Sequence, residues 1–133
     1  MNATPLRILI VDDHADNARM LKVLLRLEGH EAAMVFDGPA AIAAARLQNP
    51  DVVLLDLSLP GLSGIEVAEE LRREPGRSEP VLVAITGHGP ERVPSPSPFD
   101  HYFAKPLDFS ALQTYLSEVS ARREQSSWTP AVA

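Results

Sequence analysis

Four apolar runs in this chain each stop at a residue that can do chemistry, and that ordered set constrains the fold more than any other feature. Val52-Val53-Leu54-Leu55 runs straight into Asp56. Arg7-Ile8-Leu9-Ile10-Val11 stops at Asp12-Asp13, and Pro80-Val81-Leu82-Val83-Ala84-Ile85 stops at Thr86. The short Tyr102-Phe103-Ala104 stops at Lys105-Pro106. A run without polar alternation suits a strand covered on both faces, as in a parallel sheet between helices. Ligands of open α/β sheets bind beyond the carboxyl ends of the strands. If these strands are parallel and adjacent, an acid pair, an acid, a hydroxyl and an amine meet on one rim.

The stretches between the runs read as helices and turns. Asp12 to Asn17 is a polar loop opening a helix whose apolar face is Met20, Leu21, Leu24, Leu25 and Leu27, stopped by Gly29. Glu31 to Phe36 reads as a second strand, and Asp37-Gly38 as a turn. Pro39 suits the first turn of an alanine-rich helix over Ala40 to Leu47, closed by Asn49-Pro50. After the third strand, Pro60, Gly61 and Gly64 demand a sharp loop, and Ser63 with Glu66 forms a capping box. The third helix turns Ile65, Val67, Ala68 and Leu71 inward, and residues 74–78 are its exit loop.

The alternation falters after the fourth strand. A helix is due between Glu91 and Asp100, but Pro94, Pro96 and Pro98 stand there, and alternate prolines cannot continue an α-helix. At most one turn, around Pro90 to Val93, could be helical. The fifth strand is Tyr102 to Ala104. Asp108 caps a last helix bearing Leu112, Tyr115, Leu116 and Val119 on one face. Residues 1–5 read as a disordered lead-in and residues 123–133 as a mobile tail. Five alternations of strand and helix, one of them damaged, mean an α/β domain with a parallel sheet. The 133 residues suit one domain, with its core over about 6–122.

Composition removes several function classes. A net charge of −6 with no basic run argues against nucleic acid as a direct partner. Without cysteine there is neither a disulfide nor a thiolate metal site. No stretch approaches the roughly 20 apolar residues of a membrane span, and the N-terminus lacks a signal peptide's layout. The expectation is a cytoplasmic protein with no membrane partner.

Asp12, Asp13 and Asp56 would crowd three carboxylates together, and like charges so close repel unless protons or a cation intervene. Mg2+ is the economical cation, since it takes oxygen ligands from one or two carboxylates plus a phosphate. Lys105 supplies a point charge for a phosphoryl oxygen, and Thr86 one hydroxyl donor. The fitting reaction is phosphoryl transfer to an aspartate, with the developing charge met by cations and donors.

On these residues, together with Leu59-Pro60-Gly61-Leu62-Ser63-Gly64 and Thr86-Gly87, the chain resembles the receiver domain of two-component response regulators, of the chemotaxis-regulator-like kind. The resemblance spans Leu6 to Arg122. It implies a flavodoxin-like, doubly wound, five-stranded parallel sheet in the order 2-1-3-4-5 with helices on both faces. Here the fourth helix would be shortened or unwound. It implies that Asp56 is phosphorylated by a phosphohistidine of a sensor histidine kinase or histidine phosphotransfer protein. Mg2+ would be bound by Asp13, Asp56 and the backbone carbonyl of Ser58, with Asp12 acting through water. Lys105, Thr86 and Gly87 would attend the phosphoryl group, with Gly87 leaving room beside the site. Thr86 and Tyr102 would form the switch. Ser58 and His88 would tune the dephosphorylation rate, and the peptide bond to Pro106 would be cis.

Such a domain is no enzyme toward other molecules. It is a phosphoacceptor that assists its own phosphorylation and dephosphorylation and presents a changed surface to a downstream protein. It would be a monomer or a weak, phosphorylation-linked dimer. The proline stretch puts the usual output face, formed by the fourth helix, fifth strand and fifth helix, in question. An alternative is a receiver-fold interaction module that signals without phosphate. An aspartyl-phosphate hydrolase is disfavoured, because such enzymes carry a second aspartate two residues after the nucleophile and Ser58 stands there. His14, His30 and His101 lack metal-ligand spacing and are expected in solvent.

Overall fold

The computed structural model describes residues 4–59, 63–73, 79–87 and 97–127. Five strands, β1 (Arg7–Val11), β2 (Glu31–Val35), β3 (Val52–Asp56), β4 (Val81–Thr86) and β5 (His101–Ala104), form one parallel sheet in the order β2-β1-β3-β4-β5. The described helices are α1 (Ala15–Leu27), α2 (Gly38–Gln48), α3 (Gly64–Arg72) and α4 (Phe109–Ser127). This is the flavodoxin-like doubly wound order.

Side chains alternate across each strand and divide the core in two. Ile8, Ile10, Val52, Leu54, Val83 and Ile85 pack with Ala18 and Leu25 of α1 and with Leu112, Leu116 and Val119 of α4. Leu9, Val11, Val53, Leu55, Leu82 and Ala84 pack with Ala41 and Ala45 of α2 and with Val67, Ala68 and Leu71 of α3. Every residue of β3 is buried, so the strand that ends in Asp56 lies at the centre of both layers. Burying each large aliphatic side chain contributes about 1.5–3 kcal/mol.

The local punctuation is visible. Gly29 adopts φ +93 after α1, a conformation that costs only glycine little. The Asp37 side chain accepts the Ala40 amide at the start of α2. Ser63 and Glu66 exchange both bonds of the capping box at 3.2 Å each. Asp108 accepts the amides of Ser110 and Ala111 at the start of α4.

Three expectations need correcting. In α1 the inward line is Ala18, Leu21 and Leu25, while Met20 and Leu27 are 64% and 76% exposed. One helical stripe is narrower than the spread of its apolar residues. Helix α4 continues through residues 123–127, where a mobile tail was expected. Arg123 fastens it by donating to Asp51 Oδ1 at 3.2 Å and to the carbonyls of Asp51 and Glu79 at 3.0 Å each. His30 is half-buried, and its Nδ1 accepts the Leu6 amide at 3.0 Å. The damaged fourth helix falls mainly on residues 88–96, outside the described residues. Ser97 to Asp100, which follow, form neither helix nor strand. Trp128 and the rest of the expected tail also lie outside. Among the described residues no helix is long and apolar enough to cross a membrane.

Candidate functional site

Register brings the strand ends together. Val11 pairs with Leu55, so the residue after each, Asp12 and Asp56, sit side by side. Asp56 pairs with Ile85 and Thr86 with Ala104, which leaves Thr86 and Lys105 next along the same rim. The Lys105 amide donates to the Thr86 carbonyl at 2.8 Å, and the Leu57 amide to the Ile85 carbonyl at 3.1 Å. The chain steps from β1 outward to β2 and then back across to β3. Asp12 and Asp56 therefore flank the point where strand order reverses, which is the crevice where such sheets bind ligands.

Asp56 is only 2% exposed, yet its carboxylate is well supplied with donors. The Ser58 amide donates to Oδ1 at 2.8 Å, and Lys105 Nζ donates to Oδ2 at 2.9 Å. Such a buried charge is tolerable only when paired and hydrogen-bonded. Lys105 is about one-third exposed at its side chain, so it bridges the buried acid and solvent. Its peptide bond to Pro106 is cis. Thr86 is buried at the end of β4, and Gly87 beside it is exposed, with nothing within 4 Å of the place a Cβ would take.

Ligand atoms of Asp12, Asp13, His14 and Asp56 all lie within 4.8 Å of one another. Three carboxylates and an imidazole in that space form a donor set suited to a hard divalent cation, so the residues fit Mg2+. His14 is the member that spacing did not reveal. Its Nδ1 lies 3.3 Å from Asp12 Oδ1 and 3.1 Å from Asp13 Oδ1, and its amide donates to Asp12 Oδ1 at 2.9 Å. The sequence signal was only its place after two aspartates. Ser58 is exposed on the loop after β3. Tyr102 lies two residues before Ala104 on β5, half-buried, with its hydroxyl on Ser97. His88 lies outside the described residues. His101 is stacked on Tyr115 with ring centroids 4.4 Å apart, and so is not a freely solvated histidine.

A cleft of about 370 Å³ opens beside this cluster between α1 and the β5–α4 connection, lined by Asp12, Asn17, Met20, Leu21, Lys105 and Pro106 among others.

Comparison with known proteins agrees with this geometry. The family model for the response regulator receiver domain matches residues 8–117. The DNA-binding response regulator MtrA of Mycobacterium tuberculosis is 40% identical over 125 residues, which are 94% of this chain and 54% of MtrA. The chain thus spans about half the length of these curated relatives. A CheY-like receiver domain from Methylobacillus flagellatus superposes with a TM-score of 0.80 at 30% identity, covering 87% of this chain and 99% of that one. The response regulator TrrA of Thermotoga maritima, solved with Mg2+ and beryllofluoride, gives 0.75 at 30% identity, covering 90% and 99%. The shared order of strands, the acid-lined crevice and these matches place the chain in the family of response regulator receiver domains.

Proposed function

We propose that Asp56 accepts a phosphoryl group from the phosphohistidine of a sensor histidine kinase or a histidine phosphotransfer protein. An Asp56 oxygen attacks phosphorus, the P–N bond to the imidazole breaks, and an aspartyl phosphate forms as the histidine leaves with its electron pair. The carrying observation is a buried carboxylate held by one amide and one ammonium beside two further carboxylates.

Each residue has a part. Lys105 holds Asp56 in place before transfer and passes its donor to a phosphoryl oxygen afterwards. The Thr86 hydroxyl turns toward the phosphoryl group, and exposed Gly87 leaves the approach open. Asp13, Asp56 and the Ser58 carbonyl would hold Mg2+, with Asp12 acting through water. When bound, the ion screens the negative charge of the acids and the incoming phosphoryl oxygens. Movement of Thr86 draws Tyr102 inward, and Ser58 and His88 set how readily water reaches the aspartyl phosphate. The cleft beside Lys105 gives the phosphodonor protein a place to seat. DNA binding belongs to MtrA by name. For this chain the −6 charge still argues against direct contact with nucleic acid.

The test is intact mass after incubation with acetyl phosphate, with and without Mg2+. One added phosphoryl group that requires Mg2+ and disappears in Asp56→Asn supports the reading. No gain in mass favours the phosphate-independent interaction module.

A further inference from the structure

The segment that leads into β5 is held by a set of bonds with no part in phosphoryl chemistry. Tyr102 donates its hydroxyl to Ser97 Oγ. The same Oγ accepts the Phe99 amide at 3.0 Å, which folds residues 97–99 into a tight turn. Phe99 is buried and sets its ring edge against Tyr102, with centroids 5.8 Å apart and planes at 63°.

That turn is pinned from two sides. From α3, Arg72 donates Nε to the Pro98 carbonyl at 3.0 Å and Nη2 to Asp100 Oδ2 at 2.7 Å. From β4, the Leu82 amide donates to the same Asp100 Oδ2 at 2.8 Å, and the Asp100 amide donates to the Leu82 carbonyl at 2.7 Å. The guanidinium also reaches Glu79 Oε2 at 3.2 Å and the Pro80 carbonyl at 3.3 Å. Six donor contacts around one arginine and one aspartate fix where Ser97 can be. The exposed Ser97 hydroxyl is therefore a stationary acceptor for the phenol of Tyr102, whose ring rests on Phe99 and turns about two side-chain torsions.

We infer that Ser97 is a latch holding Tyr102 in the position seen here, and that Arg72 is the positioning residue that keeps the latch within the phenol's reach. The inference rests on the reading of Tyr102 as the switch aromatic and deepens it. The inward movement of Tyr102 must break the bond to Ser97, so the latch sets how often the inward position is visited before any phosphoryl group arrives. A net side-chain hydrogen bond of ordinary strength corresponds to about a fivefold change in that population.

The chain has two tyrosines, so 3-fluorotyrosine labelling gives two ¹⁹F resonances, and Tyr115→Phe assigns that of Tyr102. In the wild type, Mg2+ with beryllofluoride should move the Tyr102 resonance. In Ser97→Ala the resting resonance should already lie displaced toward that position, by about fivefold more inward population. Ser97→Thr, which restores the hydroxyl, should return it, and Arg72→Gln should displace it as Ser97→Ala does. A resting resonance unchanged in Ser97→Ala, with a normal wild-type response, overturns the latch and leaves the switch standing. A wild-type resonance indifferent to Mg2+ and beryllofluoride overturns the switch reading and this inference with it.

Discussion

Gly64 tests whether the backbone behind Asp56 is as crowded as the structure makes it. It is the first residue of α3 and is buried. A Cβ placed there would lie 2.9 Å from the Asp56 carbonyl oxygen, 2.9 Å from Leu57 Cδ2 and 3.0 Å from Leu57 Cα. Ordinary contact begins near 3.4 Å, so about half an ångström must be found. The leucine methyl can move, but the other two atoms are backbone of the residue that carries the site and its neighbour. Overpacking of this kind costs about 1–3 kcal/mol. Replacing glycine by alanine in a helix otherwise gains up to about 1 kcal/mol. The net for Gly64→Ala is a loss of about 1–2 kcal/mol, or roughly 4–8 °C in Tm for a domain of this size. Gly87→Ala is the control, since nothing lies within 4 Å of its added Cβ; it should stay within about 0.5 kcal/mol of wild type. Urea and thermal unfolding followed by circular dichroism measure both. A Gly64→Ala protein as stable as wild type, or more so, refutes the reasoning.

Other perturbations follow from single bonds. Without Mg2+, Asp56→Asn should raise stability by about 1 kcal/mol. Two carboxylates at up to 4.8 Å and one ammonium at 2.9 Å nearly cancel, with repulsion slightly ahead, at an effective dielectric near 20. A clear loss in urea unfolding would contradict this. Ser63→Ala removes the amide-accepting half of the capping box and should cost about 1 kcal/mol by the same assay. His30 is held below its usual pKa of 6.5 by burial, partly offset by Glu28. The unfolded chain therefore binds the extra proton first. The stability His30 supports is complete above about pH 6.5 and is lost as pH falls toward the depressed value. His30→Gln should flatten that slope in urea midpoints measured from pH 7.5 to 5; an unchanged slope would assign it to other groups.

The strands β1, β3 and β4 were legible because each is largely apolar on both faces, which suits a sheet between two helical layers. The same logic located Asp12, Asp56, Thr86 and Lys105, since a polar residue ending such a run has nowhere to go but the rim. What stayed hidden depends on partners distant in the chain. The outward turn of Met20 and Leu27 follows from which stripe of α1 meets Ile10 and Leu54, and helical spacing alone does not choose it. His30 reads like any loop histidine until Leu6 supplies an amide 24 residues away. Arg72 and Arg123 look like ordinary surface charges, yet each ties a helix end to carbonyls of other elements. His14 joins the acidic cluster through a turn that no spacing rule encodes.

The division of labour at the rim explains why a buried charge is kept there. A carboxylate offers about four acceptor positions. At Asp56 the Ser58 amide takes one on Oδ1 and Lys105 takes one on Oδ2, and both donors come from segments fixed by the sheet itself. Ser58 lies two residues beyond β3, and Lys105 follows β5 directly, with its amide on the Thr86 carbonyl. The two bonds set the carboxylate's orientation. The carboxylates of Asp12 and Asp13 come within 4.8 Å of that of Asp56. An incoming group must therefore be positive, or arrive with positive charge. The interior thus fixes the aspartate's geometry, and on the proposed function the acids of the β1–α1 loop would make its phosphorylation depend on a cation bound beside it.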